Sequence, residues 1–309
     1  MSKRTKWLTL IGVIAALVVG WQVAAYAGAV GTAQGFQDDD GNLADDGAGI
    51  DWNSFSPTTW TGQAPNRTST KTANGFQFLG IEDAQATTSD SAFAGGTKQD
   101  EDCANVISAK APNKDDLKRV YMATTNVGGN VYLDLAWVRI PQNTTSPSAH
   151  IGFEFNKAPS GSSCNEPDGL VKRTAGDMLI VYDFEGGSGD VPTLTLRRWV
   201  TSGPCEVSSN SAPCWGTATN LTAGGFAEGK VNTTGSVSDT IGPASETLGT
   251  NEFGEAGINL TAAGVFTPGQ CETFGKASAV SRSSGNSGTA QMKDLVGPAN
   301  FTLANCATV

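Results

Sequence analysis

The 309-residue chain carries a formal net charge of −10, 38 glycines, six cysteines and a single histidine, His150. An acidic chain without a basic run argues against nucleic acid and anionic membrane surfaces as partners, since both are polyanions. One histidine and no C-x-x-C spacing argue equally against zinc chemistry, a His-based triad and haem ligation.

The chain opens with the basic stretch SKRTK, then WLTLIGVIAALVVGWQVAAY, then Ala25-Tyr26-Ala27. Basic, apolar and A-x-A regions in that order predict a secretory signal peptide over residues 1–27, cut at Ala27/Gly28. The apolar run is also long enough to act as an uncleaved signal anchor. Removal of residues 1–27 takes away Lys3, Arg4 and Lys6 and no acid, so −10 becomes −13. The expected product is secreted or held at the cell surface, with no membrane contact of its own unless the anchor is retained.

Residues 28–50 form an acidic N-terminal segment, part of or leading into one domain over 51–309. Its core, DDDGNLADDGAGIDWN (38–53), places Asp38, Asp40 and Asn42 in the D-x-D-x-N alternation of a calcium loop. An EF-hand is excluded: Leu43 stands where the turn glycine belongs and Gly49 where the closing glutamate belongs. What remains is an irregular oxygen-ligand site with calcium as the possible cofactor.

Short apolar runs follow, separated by Gly/Pro/Asn turns: FQFLGIE (76–82), VYLDLAWVRI (131–140), HIGFEFN (150–156), DMLIVYDFE (177–185), TLTLRRWV (193–200) and GINLTAAGVF (257–266). This pattern predicts an all-β fold, a β-sandwich or jelly roll of concanavalin A-like or similar type. Only two short helices are expected, at 113–123 behind an Asn113 cap and at 290–296. In the hairpin at 178–200, Met178, Ile180, Tyr182 and Phe184 share one face. Folding about Gly186–Asp190 sets Tyr182 beside Leu194, Ile180 beside Leu196 and Asp183 beside Thr193, with Asp183 and Glu185 on the other, solvated face.

Six cysteines in an exported chain predict three disulfides. Cys205 and Cys214 bracket a short polar loop and are the first expected pair; Cys271–Cys306 and Cys103–Cys164 are the pairing assumed for the rest. Trp52 and Trp215, in loops, are candidate stacking platforms for a sugar, whereas Trp137 shares the apolar face of Leu133 and Leu135. Asp183 and Glu185, two residues apart on a strand, have Cα atoms roughly 6.5–7 Å apart, which overlaps the separation of about 6.5–9.5 Å between the carboxyl groups of inverting glycosidases. With Glu154, they are the candidate acids of a hydrolase.

Segments spread along the chain resemble a family of exported bacterial proteins. They include FQDDDGNLADDGAGIDWN (36–53), FAGGTKQD (93–100), NKDDL (113–117), GFEFN (152–156), GDMLIVYDFEGG (176–187), LRRWV (196–200), EAGINLTAAG (255–264) and SRSSGNSGTAQMKDLV (281–296). In this family an adhesin-like β-sandwich head often precedes prealbumin-like or DUF11-type repeats or a sorting signal. The resemblance implies a non-enzymatic surface module and carries over no catalytic residue. The sequence ends three residues after Cys306 without repeats or sorting signal, so the expectation is a freely secreted head or one held at its N-terminus. The function expected is therefore structural or adhesive, binding a glycan or a surface protein. The alternatives are a calcium-assisted lectin-like module and a glycoside hydrolase.

Overall fold

The computed structural model describes residues 30–47, 49–85, 88–141, 148–157, 164, 170–186, 191–267, 269–285 and 287–306. The expected signal peptide and residues 187–190 of the hairpin turn lie outside them. The chain is nearly all β, 46% strand and 4% helix, with antiparallel sheets and three disulfides.

A five-residue helix α1 (Val30–Gln34) and a 3-10 turn at Trp52–Phe55, capped by Asp51, precede the strands. The first half of the chain contributes β1 (Trp60–Thr61), β2 (Arg67–Ala73), β3 (Phe76–Glu82), β4 (Ser91–Phe93), β5 (Val106–Ser108), β6 (Leu117–Val127), β7 (Asn130–Arg139) and β8 (Ala149–Asn156). Then come β9 (Met178–Phe184), β10 (Thr193–Val200), β11 (Cys214–Trp215), β12 (Thr219–Asn220), β13 (Ala227–Val231), β14 (Val237–Asp239), β15 (Glu246–Leu248), β16 (Phe253–Asn259), β17 (Thr273–Arg282) and β18 (Met292–Ala304). One sheet runs β1-β2-β3-β6-β7-β16-β13. The other runs β11-β10-β9-β8-β17-β18-β4-β5, with β12 added beside β10. Strands β14 and β15 make a separate hairpin.

Period-two alternation explains how each sheet contributes to a common core. Leu133, Leu135 and Trp137 of the first sheet and Phe153, Ile180 and Tyr182 of the second belong to one buried apolar cluster. Trp137 meets Tyr182 edge to face at 5.8 Å, and the Tyr182 hydroxyl donates to the Lys230 carbonyl at 2.8 Å. The hairpin register is the expected one: Leu194 opposite Tyr182, Leu196 opposite Ile180, Thr193 opposite Asp183. The disulfides join Cys103 to Cys164, Cys205 to Cys214 and Cys271 to Cys306.

The structure corrects three expectations. Residues 117–123 are strand rather than helix, because β6 pairs with β3 on one side and β7 on the other. Such long-range ladders override the local pattern of apolar spacing. Residues 292–296 belong to β18, paired with β17. The run at 257–266 is strand only to Asn259, whose side-chain oxygen accepts from the Ala262 N–H and turns the chain.

Candidate metal centre

The N-terminal acidic segment lies across the outer face of the first sheet. Phe36, Leu43, Trp52 and Phe55 pack there on Phe76, Phe78 and Tyr121. Trp52 is therefore buried rather than an exposed sugar platform, with Phe36 at 5.0 Å and its Nε1–H donating to Glu255 Oε2 at 2.9 Å. Trp215 is corrected in the same way. The loop closed by Cys205–Cys214 lays it on Trp199, edge to face at 5.2 Å, and its Nε1–H donates to the Gln99 carbonyl. Trp215 is a strand residue, opposite Trp199 where β11 joins β10 beside the Cys205–Cys214 disulfide.

Asp38, Asp40 and Asn42 have distinct surroundings. Asp134, Gly257 and Glu228 face each other across β7, β16 and β13, and the missing Gly257 side chain leaves the space that the Asp38 carboxyl fills. Gln34 Nε2 donates to both Asp38 Oδ2 (2.7 Å) and Asp134 Oδ1 (2.6 Å). Burial, then the charges of Asp134 and Glu228, push Asp38 well above the usual carboxylate range. Asp40 Oδ1 and Asn42 Oδ1 accept from the backbone N–H groups two residues on, at 2.8 and 2.6 Å, as Asx turns do. Glu255, held up chiefly by burial and then by Asp51 and Asp40, also accepts from the Gly41 N–H at 2.7 Å.

The face of β9 expected to be solvated is covered. Leu179 and Val181 pack with Trp199 and Trp215, and Asp183 is buried. Asp183 Oδ1 bonds His150 Nδ1 directly across the β8–β9 pair, and a Cβ on Gly285 would collide with its carboxyl. Glu185, just beyond the strand, is exposed, and one of its oxygens completes a His150–Asp183–Glu185 group. Glu154 is gripped by Arg173 through two hydrogen bonds of 2.8 Å each.

A further group has no local sequence signature: Asp83, Asp90 and Asp294, which are 1%, 0% and 0% exposed. Asp83 follows β3, Asp90 precedes β4, and Asp294 lies in β18, so both sheets contribute. One carboxylate oxygen from each lies within 4.8 Å of the other two. Backbone donors serve most of these oxygens. Ala84 N–H reaches Asp83 Oδ1 (2.8 Å), Ser91 and Ala111 reach Asp90 (3.0 and 3.2 Å), and Leu117 and Leu295 reach Asp294 (2.6 and 3.0 Å). Asp83 Oδ2 is buried and accepts from no donor. Burial and then Asp90 push Asp83 up to about 9; burial, Asp83 and Asp90 push Asp294 well above its ordinary range. These positions are 83, 90 and 294, so no spacing rule could gather them. The sequence trace is Asp294 itself, an acid set directly before Leu295 and Val296 in β18.

No family model, curated protein or solved structure matches the chain.

Proposed function

We propose that the chain is an exported, non-enzymatic module, built as a two-layer β-sandwich, with a structural or adhesive role. The observation that carries this reading is how the candidate catalytic acids are used. Glu154 is closed by Arg173 and Asp183 by His150 beneath Gly285, which leaves Glu185 the one exposed acid of the three. A glycosidase needs two carboxyls facing each other across a space that admits a sugar and a water. Here Glu154 instead ties the Arg173 segment to β8, and Asp183 joins β9 to β8 through His150. Three disulfides fit the oxidising compartment that secretion implies. The role agrees with the adhesin-like heads that segments of the chain resemble.

A calcium-assisted lectin is the second reading, favoured by a polar groove of about 400 Å³ beside the acidic segment. Asp40, Asn42, Lys230 and Thr233 line it with groups suited to sugar hydroxyls. A glycan array with the purified protein, with and without calcium, separates the readings, run beside a reducing-end release assay on polysaccharides. The structural reading expects neither glycan binding nor turnover. Calcium-dependent binding to a defined glycan replaces it with the lectin, and turnover lost on Asp183→Asn or Glu154→Gln replaces it with the hydrolase.

A further inference from the structure

The geometry points to a calcium site formed by Asp83, Asp90 and Asp294 at the seam between the two sheets. This goes beyond the structural or adhesive reading and does not depend on it. Two oxygens on opposite sides of a calcium ion, each at about 2.4 Å, are about 4.8 Å apart. The three aspartate oxygens, mutually within 4.8 Å, are close enough together to approach one such ion. The donor set is all oxygen and anionic, the preference of calcium rather than of zinc or copper.

Two further observations point to a ligand. Asp83 Oδ2 is buried with no N–H donating to it, and the Asp83 and Asp90 carboxyls lie in hydrogen-bond contact, which needs either a shared proton or a cation between them. None of the three aspartates forms an ion pair among the described residues. Three buried carboxylates without a counter-charge are destabilising as anions, and Asp116, buried just before β6, adds its own repulsion to Asp83 and Asp294. A bound divalent cation removes that penalty. It also joins the end of β3 to β4 and β18, reinforcing the Leu117–Asp294 hydrogen bond that already ties the sheets.

The test uses the full chain, stripped of metal with EDTA, dialysed, and titrated with calcium chloride by calorimetry and thermal melting. The expected result is calcium binding and a rise in Tm of roughly 5 °C with calcium at a hundredfold its Kd. Asp83→Asn and Asp90→Asn, made separately, each remove one equivalent of binding and abolish most of the rise, while the metal-free Tm holds or increases. Asp40→Asn leaves the rise intact. Hydrogen exchange of the unaltered chain locates the ion without any variant: calcium slows exchange at Ala84, Ser91, Leu117 and Leu295. Absence of both heat and shift overturns the proposal. So does a shift that survives Asp83→Asn but disappears in Asp40→Asn, or calcium protection confined to residues 30–53.

Discussion

Asp51→Asn isolates the cost of burying the acidic segment. Asp51 has no exposed surface; its Oδ1 accepts from the Trp52 N–H to cap the 3-10 turn, and its Oδ2 has no partner. Burial is the main reason its carboxyl is pushed up to about 8 from 3.8, and the charges of Asp40, Asp45 and Asp46 push the same way. Between those pH values the folded chain keeps a proton that the unfolded chain has released. Stability from this group is thus complete below the ordinary carboxylate pKa and is lost as pH rises through the folded value. One proton corresponds to a loss of about 1.4 kcal/mol per pH unit, or roughly 2–3 °C in Tm for a chain of this size. Asparagine preserves the acceptor for Trp52 and removes the titration. Melting curves from pH 5 to 8 in EDTA should show Tm falling with pH in the parent and falling less steeply in the variant, by about that slope. Glu255 and Asp38 slope in the same direction, so the difference between the two proteins is the informative quantity. Equal slopes, or a parent Tm that climbs with pH, would refute the reasoning.

Trp52→Ala should destabilise the chain by roughly 3–5 kcal/mol in denaturant unfolding, because it empties the cluster of Phe36, Phe55, Phe78 and Tyr121 and leaves Glu255 without its indole donor. Arg119→Met should cost roughly 3–5 kcal/mol by the same measurement, since Arg119 and the Tyr121 hydroxyl both serve the fully buried Asp239. Adding Asp239→Asn should recover part of that loss. Gly257→Ala leaves no room for the Asp38 carboxyl, so limited proteolysis should cut within residues 30–53 faster than in the parent, with β6 and β7 still protected.

Local alternation carried much of the fold. FQFLGIE and TLTLRRWV coincide with β3 and β10, and face assignment put Tyr182 and Ile180 against Leu194 and Leu196. What escaped is what lies over the second face of each sheet. Alternation marks Asp183 as facing away from Ile180, but the disulfide-closed loop and Gly285 decide whether that side is wet. Residues 113–123 failed for a related reason: Leu117, Val120 and Tyr121 have helical spacing, yet β3 and β7 offer ladders that are invisible locally. The acidic run at 38–53 was visible as a site candidate, but its alternation does not tell that Asp38 turns into the space above Gly257 while Asp40 and Asn42 close Asx turns.

The buried acids divide by their donors, and that division bears on function more than their number does. Asp239 accepts from the Arg119 guanidinium, the Tyr121 hydroxyl and the Ile241 and Gly242 amides; Glu154 accepts from Arg173 and Asn156. Such groups are compensated by the protein and serve as ties. Asp83 and Asp51 each retain an oxygen with no donor while their neighbours are other acids. Burying them as anions is unfavourable, so the folded state takes up either a proton or a cation at each. Where a single proton suffices, as at Asp51, stability follows pH. Where three carboxylates converge from two sheets, as at Asp83, Asp90 and Asp294, one divalent ion neutralises more charge than one proton and also joins the sheets. The chain then becomes more stable where calcium is abundant, which suits the extracellular role proposed for it.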